Sequence, residues 1–415
     1  MNNKYCKHVY KGAVNHKVDF TLMNQDEVRE YEIDVLKRIS NLALITPKLN
    51  TDPLPLYDYD QLDYGMNAGI TRTPGGRIYA MWIAGEDGPK AFMVIATSDD
   101  DGETWSKPCL VIDNHSKNLP MDRSHLVGNM WTDPLGRLWV FFDQAIMGHG
   151  RAGLWIAICN NPDADHPEWS VPKRIWHGSM LNKPTVLSTG EWLLPIEFLQ
   201  YETSKKQFED IFKELDPYRG ANVFGTIDQG KTFQRLGCVK FPNPSWHEHM
   251  LVELKNGIIW MLARTMTGIM ESFSEDKGVH WTEPSIPKSI RSIVARFYIS
   301  RLTSGRILLV KHGNTVDETT SAREKLKAFL SEDDGVTWIG GLMLDEREGV
   351  SYPDGFQAPD GTIYISYDYK RSSHGHILMA RFKEEDILAG EIVSPITKLN
   401  ILISQPLKKR TAKIS

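Results

Sequence analysis

Cysteine is scarce in this sequence, because the chain of 415 residues contains only four. Their positions are too scattered for the ligand spacing of a zinc site or for the framework of a disulfide-rich scaffold. The sequence therefore implies no metal ion and no organic cofactor. The four cysteines are Cys6, Cys109, Cys159 and Cys238.

The sequence also lacks a long apolar run. No stretch reaches the length of a membrane span, and the first residues, Met-Asn-Asn-Lys-Tyr-Cys-Lys, contain no apolar signal region. The net charge of −5 gives no hint of a nucleic-acid partner or of an acidic membrane surface. We therefore expect a cytoplasmic protein, unless a leader has been removed, with neither nucleic acids nor membranes as partners.

What the chain does contain is a short motif in four copies. Each reads Ser/Thr-x-Asp-x-Gly-x-Thr-Trp/Phe, with His280 as the one departure at the second Thr. The pattern predicts a β-turn in which the Asp binds backbone N–H groups and the Gly adopts a positive φ. Four copies in one chain indicate a repeat architecture. The copies cover residues 98–105, 226–233, 274–281 and 331–338.

A second repeat sets the number of units. A glycine followed by an apolar run recurs six times, and each glycine is expected to close a hairpin between two β-rich segments. Each unit is long enough for a four-stranded blade. The sequence thus predicts an all-β fold, a six-bladed β-propeller that spans residues 59–395. The glycines are Gly76, Gly136, Gly190, Gly257, Gly305 and Gly361.

Three segments fall outside this pattern. Residues 25–39 have helical character and a Pro-rich linker follows, so residues 1–58 are predicted to form an N-terminal extension. Residues 203–215 also carry apolar side chains at helical spacing. A surface helix is favoured there, with a lid over the substrate as the alternative. Residues 396–415 are predicted to be a solvated C-terminal tail.

The hairpin repeat predicts where a functional site lies. Residues about nine before and seven after each glycine share the end of the hairpin away from its turn, so they ring one mouth of the channel. Many of them are ionisable, and buried charge without partners is costly. We therefore predict a site at this mouth, with a mutually satisfied polar plug as the alternative. The polar members of the ring are Asn67, Asp143, Glu197, Glu248, Arg264, Arg296, His312, Tyr352 and Asp368.

The repeated motif resembles the Asp box of the sialidase superfamily, over about residues 65–368 of this chain. The resemblance implies a glycosidase with a Tyr nucleophile, a Glu partner, an Asp acid/base and arginines that clamp a substrate carboxylate. Tyr352, in Ser-Tyr-Pro-Asp-Gly, matches the nucleophile, and Glu248, in Trp-His-Glu-His-Met, matches its partner. Arg264 and Arg323 match two clamp arginines. Asp87, in Gly-Glu-Asp-Gly, matches the acid/base.

The chemistry explains these residue types. A phenol has a pKa of about 10 and attacks poorly unless a nearby carboxylate takes its proton. A neutral nucleophile suits an anomeric carbon that already carries a carboxylate, because a second anion would be repelled. The planar guanidinium of arginine binds a carboxylate through two parallel hydrogen bonds.

One departure from the family concerns the first clamp arginine, which sialidases carry in an Arg-Ile-Pro motif before the first hairpin. Here residues 64–70 read Tyr-Gly-Met-Asn-Ala-Gly-Ile, with no arginine. Arg296 is the candidate to supply the missing charge, and without a replacement ordinary sialosides are expected to be poor substrates. Further candidates for substrate binding at the same mouth are Asn67, His125, Asn182, Lys183, His247, His312 and Asp368.

The sequence therefore predicts a retaining glycoside hydrolase that removes a terminal, acidic sugar from a glycan or oligosaccharide. One alternative is a polysaccharide lyase, in which Tyr352 or a histidine acts as base beside a uronate. The other is a glycan-binding propeller without catalytic activity, because a fold does not fix a function. An unsaturated, ultraviolet-absorbing product would indicate the lyase, and binding without turnover would indicate the third.

Overall fold

Six antiparallel sheets form the blades of a β-propeller. The computed structural model describes residues 23–119, 122–146, 153–199 and 211–408. Blades one to three contain β1 (Met66–Arg72), β2 (Ile78–Ala84), β3 (Phe92–Ser98), β4 (Leu110–Ile112), β5 (Arg123–Ser124), β6 (Gly128–Thr132), β7 (Leu138–Ile146), β8 (Gly153–Cys159), β9 (Lys173–His177), β10 (Thr185–Val186), β11 (Trp192–Phe198), β12 (Gly220–Thr226) and β13 (Gln234–Val239). The fold predicted from the two repeats is confirmed.

The remaining three blades follow the same order from the channel outwards. Blade four has three paired strands, blade two has five because both β5 and β6 pair with β7, and the other blades have four. Blades four to six contain β14 (Met250–Glu253), β15 (Ile259–Thr265), β16 (Gly268–Ser274), β17 (Tyr298–Arg301), β18 (Ile307–His312), β19 (Leu326–Ser331), β20 (Ile339–Asp345), β21 (Val350–Gln357), β22 (Ile363–Tyr369), β23 (His376–Phe382) and β24 (Lys398–Ser404).

Each of the six hairpin glycines closes a turn between two paired strands, as predicted; in blade two these are β6 and β7. All have positive φ, between 81° and 99°. At Gly257 an added Cβ would meet nothing within 4 Å, so the backbone conformation rather than a lack of space requires glycine there. These turns therefore mark one end of the channel, and the site predicted from the register lies at the other end.

The four Asp-box motifs form turns after the third strand of their blades. In the first copy, Asp100 accepts bonds from the backbone N–H and the hydroxyl of Thr104, at 2.9 and 2.6 Å. These bonds lower the pKa of Asp100 to about 2. In the third copy, His280 Nδ1 lies 2.6 Å from Asp276 and replaces the missing hydroxyl. The motif is thus a structural turn remote from the predicted site.

The N-terminal extension contains the predicted helix, here α1 (Gln25–Ser40), followed by a 3₁₀ turn at Asn41–Leu44. Leu36 of α1 packs against Ile211 and Phe212. The linker then pairs with the outer edge of blade one, where Asn50 and Val111 exchange two backbone hydrogen bonds of 2.9 Å. Among the described helices, none is long and apolar enough to cross a membrane.

Two other predicted segments remain, and only the second can be compared with the structure over most of its length. Residues 203–210 lie outside the described residues, and Lys213–Tyr218 forms a 3₁₀ helix. The predicted tail begins too early, because Lys398–Ser404 pairs with β23 as the outer strand of blade six. A short helix, α2 (Glu384–Ala389), separates these two strands and obscured their pairing in the sequence.

Candidate functional site

Three side chains, two from blade four and one from blade six, meet at the channel mouth away from the hairpin glycines. The Tyr352 hydroxyl donates a hydrogen bond of 2.6 Å to Oε1 of Glu248. The same oxygen accepts a bond of 2.9 Å from Nη1 of Arg264, which lies 3.4 Å from the Tyr352 hydroxyl. All three residues are buried. The structure thus brings together the tyrosine, glutamate and arginine that the sequence predicted to cooperate.

The backbone at this pair is strained. Tyr352 and Glu248 both have left-handed backbones, with φ of 56° and 44°. Such conformations cost about 1–3 kcal/mol each in residues other than glycine, and they concentrate at functional sites. Tyr352 also lies in a bulge, since the pairing of β21 with β22 shifts between Ser351 and Asp354. A bulge of this kind re-aims a side chain, here towards Glu248.

Two asparagines stabilise the strained pair through its carbonyl groups. Nδ2 of Asn67 donates to the Tyr352 carbonyl at 2.8 Å, and Nδ2 of Asn182 donates to the Glu248 carbonyl at 2.6 Å. Both asparagines were predicted to bind substrate. The structure instead commits their amide groups to the backbone of the pair.

The electrostatics of the pair keep the phenol protonated at neutral pH. Burial, together with the negative charge of Glu248, raises the pKa of Tyr352 to about 12, although Arg371 and Arg264 oppose this effect. An uncharged phenol needs a proton acceptor as it attacks. Glu248 is in position to be that acceptor, and its second oxygen, Oε2, has no hydrogen-bond partner among the described residues.

Three more arginines lie near the Tyr352 ring. Arg296 is 5.7 Å from the ring centre, and the other two line the adjacent cavity; of those two the sequence predicted only Arg323. The guanidinium of Arg323 lies 5.8 Å from the ring centre, and that of Arg371 lies 4.0 Å from it. Both donate to the Ser351 hydroxyl, at 3.0 and 3.2 Å. Burial and the charge of Arg371 lower the pKa of Arg323. Two cations therefore share one neutral acceptor, as expected of a site that an anion can occupy.

Arg371 is the functional candidate that the sequence analysis missed. It lies in the loop after β22, where no strand register predicts its position, and the preceding Lys370 has a φ of 45°. Its Nε donates to Oδ1 of Asp368 at 3.0 Å. Burial raises the pKa of Asp368, with Arg371 opposing. The one available signal was the spacing of the two residues, because an Arg three residues after a buried Asp is placed to pair with it.

Asp87, the predicted acid/base, lies on the β2–β3 loop at the same mouth. Its Oδ2 is 3.8 Å from Nη1 of Arg371, and its side chain is 59% exposed. Solvent and the mouth of the site are therefore both within its reach. Asp87 therefore lies beside Arg371 at the mouth and is open to solvent.

Arg296 does not complete the arginine clamp, contrary to the prediction. Its guanidinium is fully buried and donates to Oδ1 of Asn182 at 2.7 Å and to Oδ1 of Asp354 at 3.1 Å. Lys183 bonds to the other oxygen of Asp354. These residues form a satisfied polar network on the propeller axis, below the site. The polar-plug alternative therefore applies to Arg296 and Lys183.

Three predicted histidines are also occupied elsewhere and fully buried. His125 Nδ1 lies 2.7 Å from the Asp143 carbonyl, and His312 Nε2 lies 3.0 Å from the Val350 carbonyl. His247 Nδ1 lies 3.1 Å from Glu197. Burial lowers the pKa of His125 and of His312 to about 4, so both are neutral. Their contacts are structural, and they do not line the site.

Two cavities lie at opposite ends of the channel. The larger, about 1000 Å³, adjoins the hairpin-glycine end and does not reach Tyr352 or Glu248. The smaller, about 330 Å³, is lined by Arg323, Ser351, Asp368 and Arg371. We place the candidate site beside the smaller cavity, because Arg323 and Arg371 line it and its wall includes Ser351, the residue directly before Tyr352; Tyr352 and Glu248 themselves lie behind that wall. No cluster of His, Cys, Asp or Glu in the described part of the chain is arranged to hold a metal ion.

Comparison with known proteins identifies the family to which these repeats belong. A family model described as BNR repeat-like domain matches residues 76–365, which is more than half of the chain. The chain belongs to this family. The match runs from the first hairpin to the sixth blade, so it covers the repeats from which the propeller was predicted. No curated protein matches the sequence.

Solved structures similar to this BNR-repeat propeller include three sialidases or trans-sialidases. An intramolecular trans-sialidase from Ruminococcus gnavus, in complex with oseltamivir carboxylate, is 15% identical, with a TM-score of 0.60 over 83% of this chain and 99% of that one. A leech intramolecular trans-sialidase complexed with 2,7-anhydro-Neu5Ac is 13% identical, with a TM-score of 0.59 over 83% and 71%.

The third is the Hadza microbial sialidase Hz136, which is 17% identical, with a TM-score of 0.57 over 74% of this chain. The present chain spans 64% of the length of that sialidase. Identities this low show a shared fold. The sialidase-like propeller predicted from the Asp boxes is therefore confirmed as a fold.

Proposed function

We propose that this protein is a retaining glycoside hydrolase that removes a terminal acidic sugar from a glycan. The observation that carries the proposal is the hydrogen bond of 2.6 Å from the Tyr352 phenol to the buried Glu248 carboxylate. A strained backbone at both residues supports it. A phenol paired with a carboxylate in this way is poised to attack a carbon that is itself close to a negative charge.

The proposed reaction has two displacements. In the first, the Tyr352 oxygen attacks the anomeric carbon and its proton passes to Glu248. Asp87 gives a proton to the leaving oxygen as its bond to the carbon breaks. In the second, water attacks the same carbon, Asp87 takes a proton from the water, and Glu248 returns its proton to Tyr352. Two inversions at one carbon give retention of configuration.

The arginines specify an anionic substrate. Arg264 uses Nη1 for its bonds to Glu248 and Tyr352, and its Nε has no partner among the described residues. Arg323 and Arg371 converge on Ser351 from the other side. A carboxylate between these groups would receive charged hydrogen bonds from several directions. We therefore propose these three arginines as its binding site.

This arrangement changes the expectation for sialosides. The sequence indicated two matched arginines and a missing third, but Arg371 adds a cation from blade six. Structures of similar fold hold oseltamivir carboxylate and 2,7-anhydro-Neu5Ac, according to their descriptions. The argument that sialosides must be poor substrates therefore no longer holds. Sialosides belong in the substrate screen beside uronides and neutral glycosides.

The test is a Tyr352→Phe variant assayed on a panel of aryl glycosides that includes sialosides, uronides and rhamnosides. Turnover should fall by a factor of about 10³ or more while the fold is unchanged. Tyr298→Phe is the matched control, because Tyr298 is also buried but donates to the Gly355 carbonyl at 3.0 Å. Activity of Tyr352→Phe within a few-fold of wild type would rule out the nucleophile.

The products separate the alternatives. Nuclear magnetic resonance (NMR) of the first-formed sugar should show the anomer of the substrate. An inverted anomer would exclude the covalent intermediate on Tyr352, and an unsaturated product would indicate a lyase. Tight binding of an acidic sugar without turnover of any substrate would leave a glycan-binding propeller.

A further inference from the structure

The β2–β3 loop, residues 85–91, carries Asp87 and is anchored by a histidine from outside the loop. Nε2 of His115 lies 2.9 Å from the carbonyl oxygen of Pro89, two residues after Asp87. Nδ1 of the same ring lies 2.6 Å from Oδ1 of Asp113. The Tyr57 hydroxyl donates to the other oxygen of Asp113 at 2.9 Å. A chain of contacts thus runs from the N-terminal extension to the loop at the site.

The chemistry of these partners fixes the protonation of His115. A carbonyl oxygen and a carboxylate oxygen both accept hydrogen bonds and donate none, so each ring nitrogen must carry a proton. Asp113 also accepts from the backbone N–H of His115 at 3.0 Å, which gives it three donors and favours its charged form. The geometry therefore requires an imidazolium beside a carboxylate.

We propose that His115 is a positioning residue, which as a cation holds the loop that carries Asp87 in place. The effect of His115 on catalysis rests on the proposed function. The protonation of His115 and its hydrogen bond to the loop do not depend on that function. Loss of the proton would leave an Nε2 lone pair facing the Pro89 carbonyl oxygen, because Asp113 retains the proton on Nδ1. The two lone pairs repel, so the loop would be released.

The surrounding charges favour the cation. Burial lowers the pKa of His115, but the hydrogen bond to Asp113, the Pro89 carbonyl, and the charges of Asp113 and Asp122 raise it more, so the net shift is upward. The nearby His125 is neutral and accepts from the Asn114 amide through Nε2. On the loop itself the charged groups are Glu86, Asp87 and Lys90.

The sign of the pH effect follows from this upward shift. Because the folded state raises the pKa of His115, the anchor is complete below the ordinary histidine value of about 6.5 and is lost as pH rises through the raised value. We expect an ordered β2–β3 loop at pH values below the His115 midpoint. Above the midpoint the loop should become more mobile, and any proton transfer by Asp87 should slow.

The test reads the histidine directly, by ¹⁵N NMR of the imidazole ring in the full-length protein. Both ring nitrogens should be protonated at pH 6.5, and the midpoint should lie above about 6.5. The amide shifts of residues 86–88 and of Lys90 should titrate with the same midpoint. Asp113→Asn keeps an acceptor but removes the charge, so the midpoint should fall by about one pH unit or more.

Two variants connect the histidine to the loop. His115→Gln should abolish the titration of the loop amides and lower their protection from hydrogen exchange at every pH. His280→Gln is the matched control, because His280 also bonds an aspartate but belongs to an Asp-box turn, and it should change neither. A neutral His115 at pH 6.5, or loop amides that do not follow its titration, would overturn the proposal.

Activity gives an independent readout. If the protein hydrolyses a glycoside, kcat/KM of the wild type should fall as pH rises through the His115 midpoint. In Asp113→Asn this fall in kcat/KM should occur at lower pH. If His115→Gln showed the same fall in kcat/KM with rising pH as the wild type, the positioning role would be contradicted. If no substrate is turned over, the hydrolase proposal fails, while the NMR measurements still decide whether His115 anchors the loop.

Discussion

Arg371 offers the sharpest test of the candidate site, because it has two separable roles: it pairs with a buried aspartate, and it faces the cavity in which an anion would bind. Its Nε donates to Asp368, whose side chain is completely buried, at 3.0 Å. Its guanidinium also lies 4.0 Å above the Tyr352 ring and bonds Ser351. Arg371→Met keeps much of the apolar stem and removes the charge. The variant should therefore weaken both the fold and the binding of an anion.

The two effects differ in size and can be estimated. Removing one partner of a buried ion pair leaves the other uncompensated and costs about 3–5 kcal/mol of unfolding free energy. A charged hydrogen bond to a ligand contributes about 1.5–3 kcal/mol. Its loss should weaken the binding of an acidic sugar by about 10- to 100-fold. A neutral analogue, such as the methyl ester of the same sugar, should lose little.

A double variant separates the effect on stability from the effect on anion binding. Arg371→Met with Asp368→Asn removes both charges, and the asparagine oxygen still accepts the backbone N–H of Asn67, which bonds Asp368 at 3.0 Å in the wild type. Most of the lost stability should return, because no unpaired buried charge remains. The affinity for the acidic sugar should stay low, because the cation is still absent.

The assays are urea unfolding for stability and calorimetry for affinity, the latter in a Tyr352→Phe background to prevent turnover. The reasoning would be refuted if Arg371→Met bound the acidic sugar as tightly as its parent. It would also be refuted if the double variant were no more stable than the single one, since Asp368 would then not be the source of the instability.

Two further predictions concern buried ionisable groups outside the candidate site. Arg296→Met should lower the unfolding free energy by about 1.5–3 kcal/mol, because it removes a charged hydrogen bond to Asp354 while Lys183 still pairs with that carboxylate. KM for an acidic substrate should change little. A raised KM with unchanged stability would instead indicate that Arg296 binds the substrate. Burial raises the pKa of Asp143 to about 7, so its native carboxyl holds a proton that the unfolded chain releases. Relative to Asp143→Asn, wild-type stability should therefore fall by up to about 1.4 kcal/mol per pH unit between about pH 4 and 7, and a difference that is constant with pH would contradict this.

The repeats made the fold predictable from the sequence. A glycine turn followed by an apolar run indicates where each inner hairpin lies. The alternation of side chains along a strand then predicts which residues lie together at one end of the channel. Tyr352, Glu248 and Arg264 were placed correctly for this reason. The last strand, Lys398–Ser404, was missed because helix α2 and its exposed surroundings break the pattern before it.

The parts of the site on loops and on the axis were not predictable in this way. Arg371 follows a residue with a φ of 45°, so the register of β22 says nothing about its direction. Register placed Arg296 at the correct height but could not distinguish a side chain that points along the axis from one that faces the cavity. Its partner Asp354 lies in the next blade, and a pairing between blades leaves no local signal.

The strained backbone explains why the predicted asparagines have a different role. A tyrosine and a glutamate keep a left-handed φ only if several contacts with the surrounding residues hold the backbone in that conformation. Asn67 and Asn182 supply part of that constraint, because each amide binds one of the two strained carbonyls. Each asparagine belongs to a different blade from the residue that it holds. The geometry of the Tyr352–Glu248 pair is therefore a property of the closed ring, in which blades one and three fix the backbone of blades six and four.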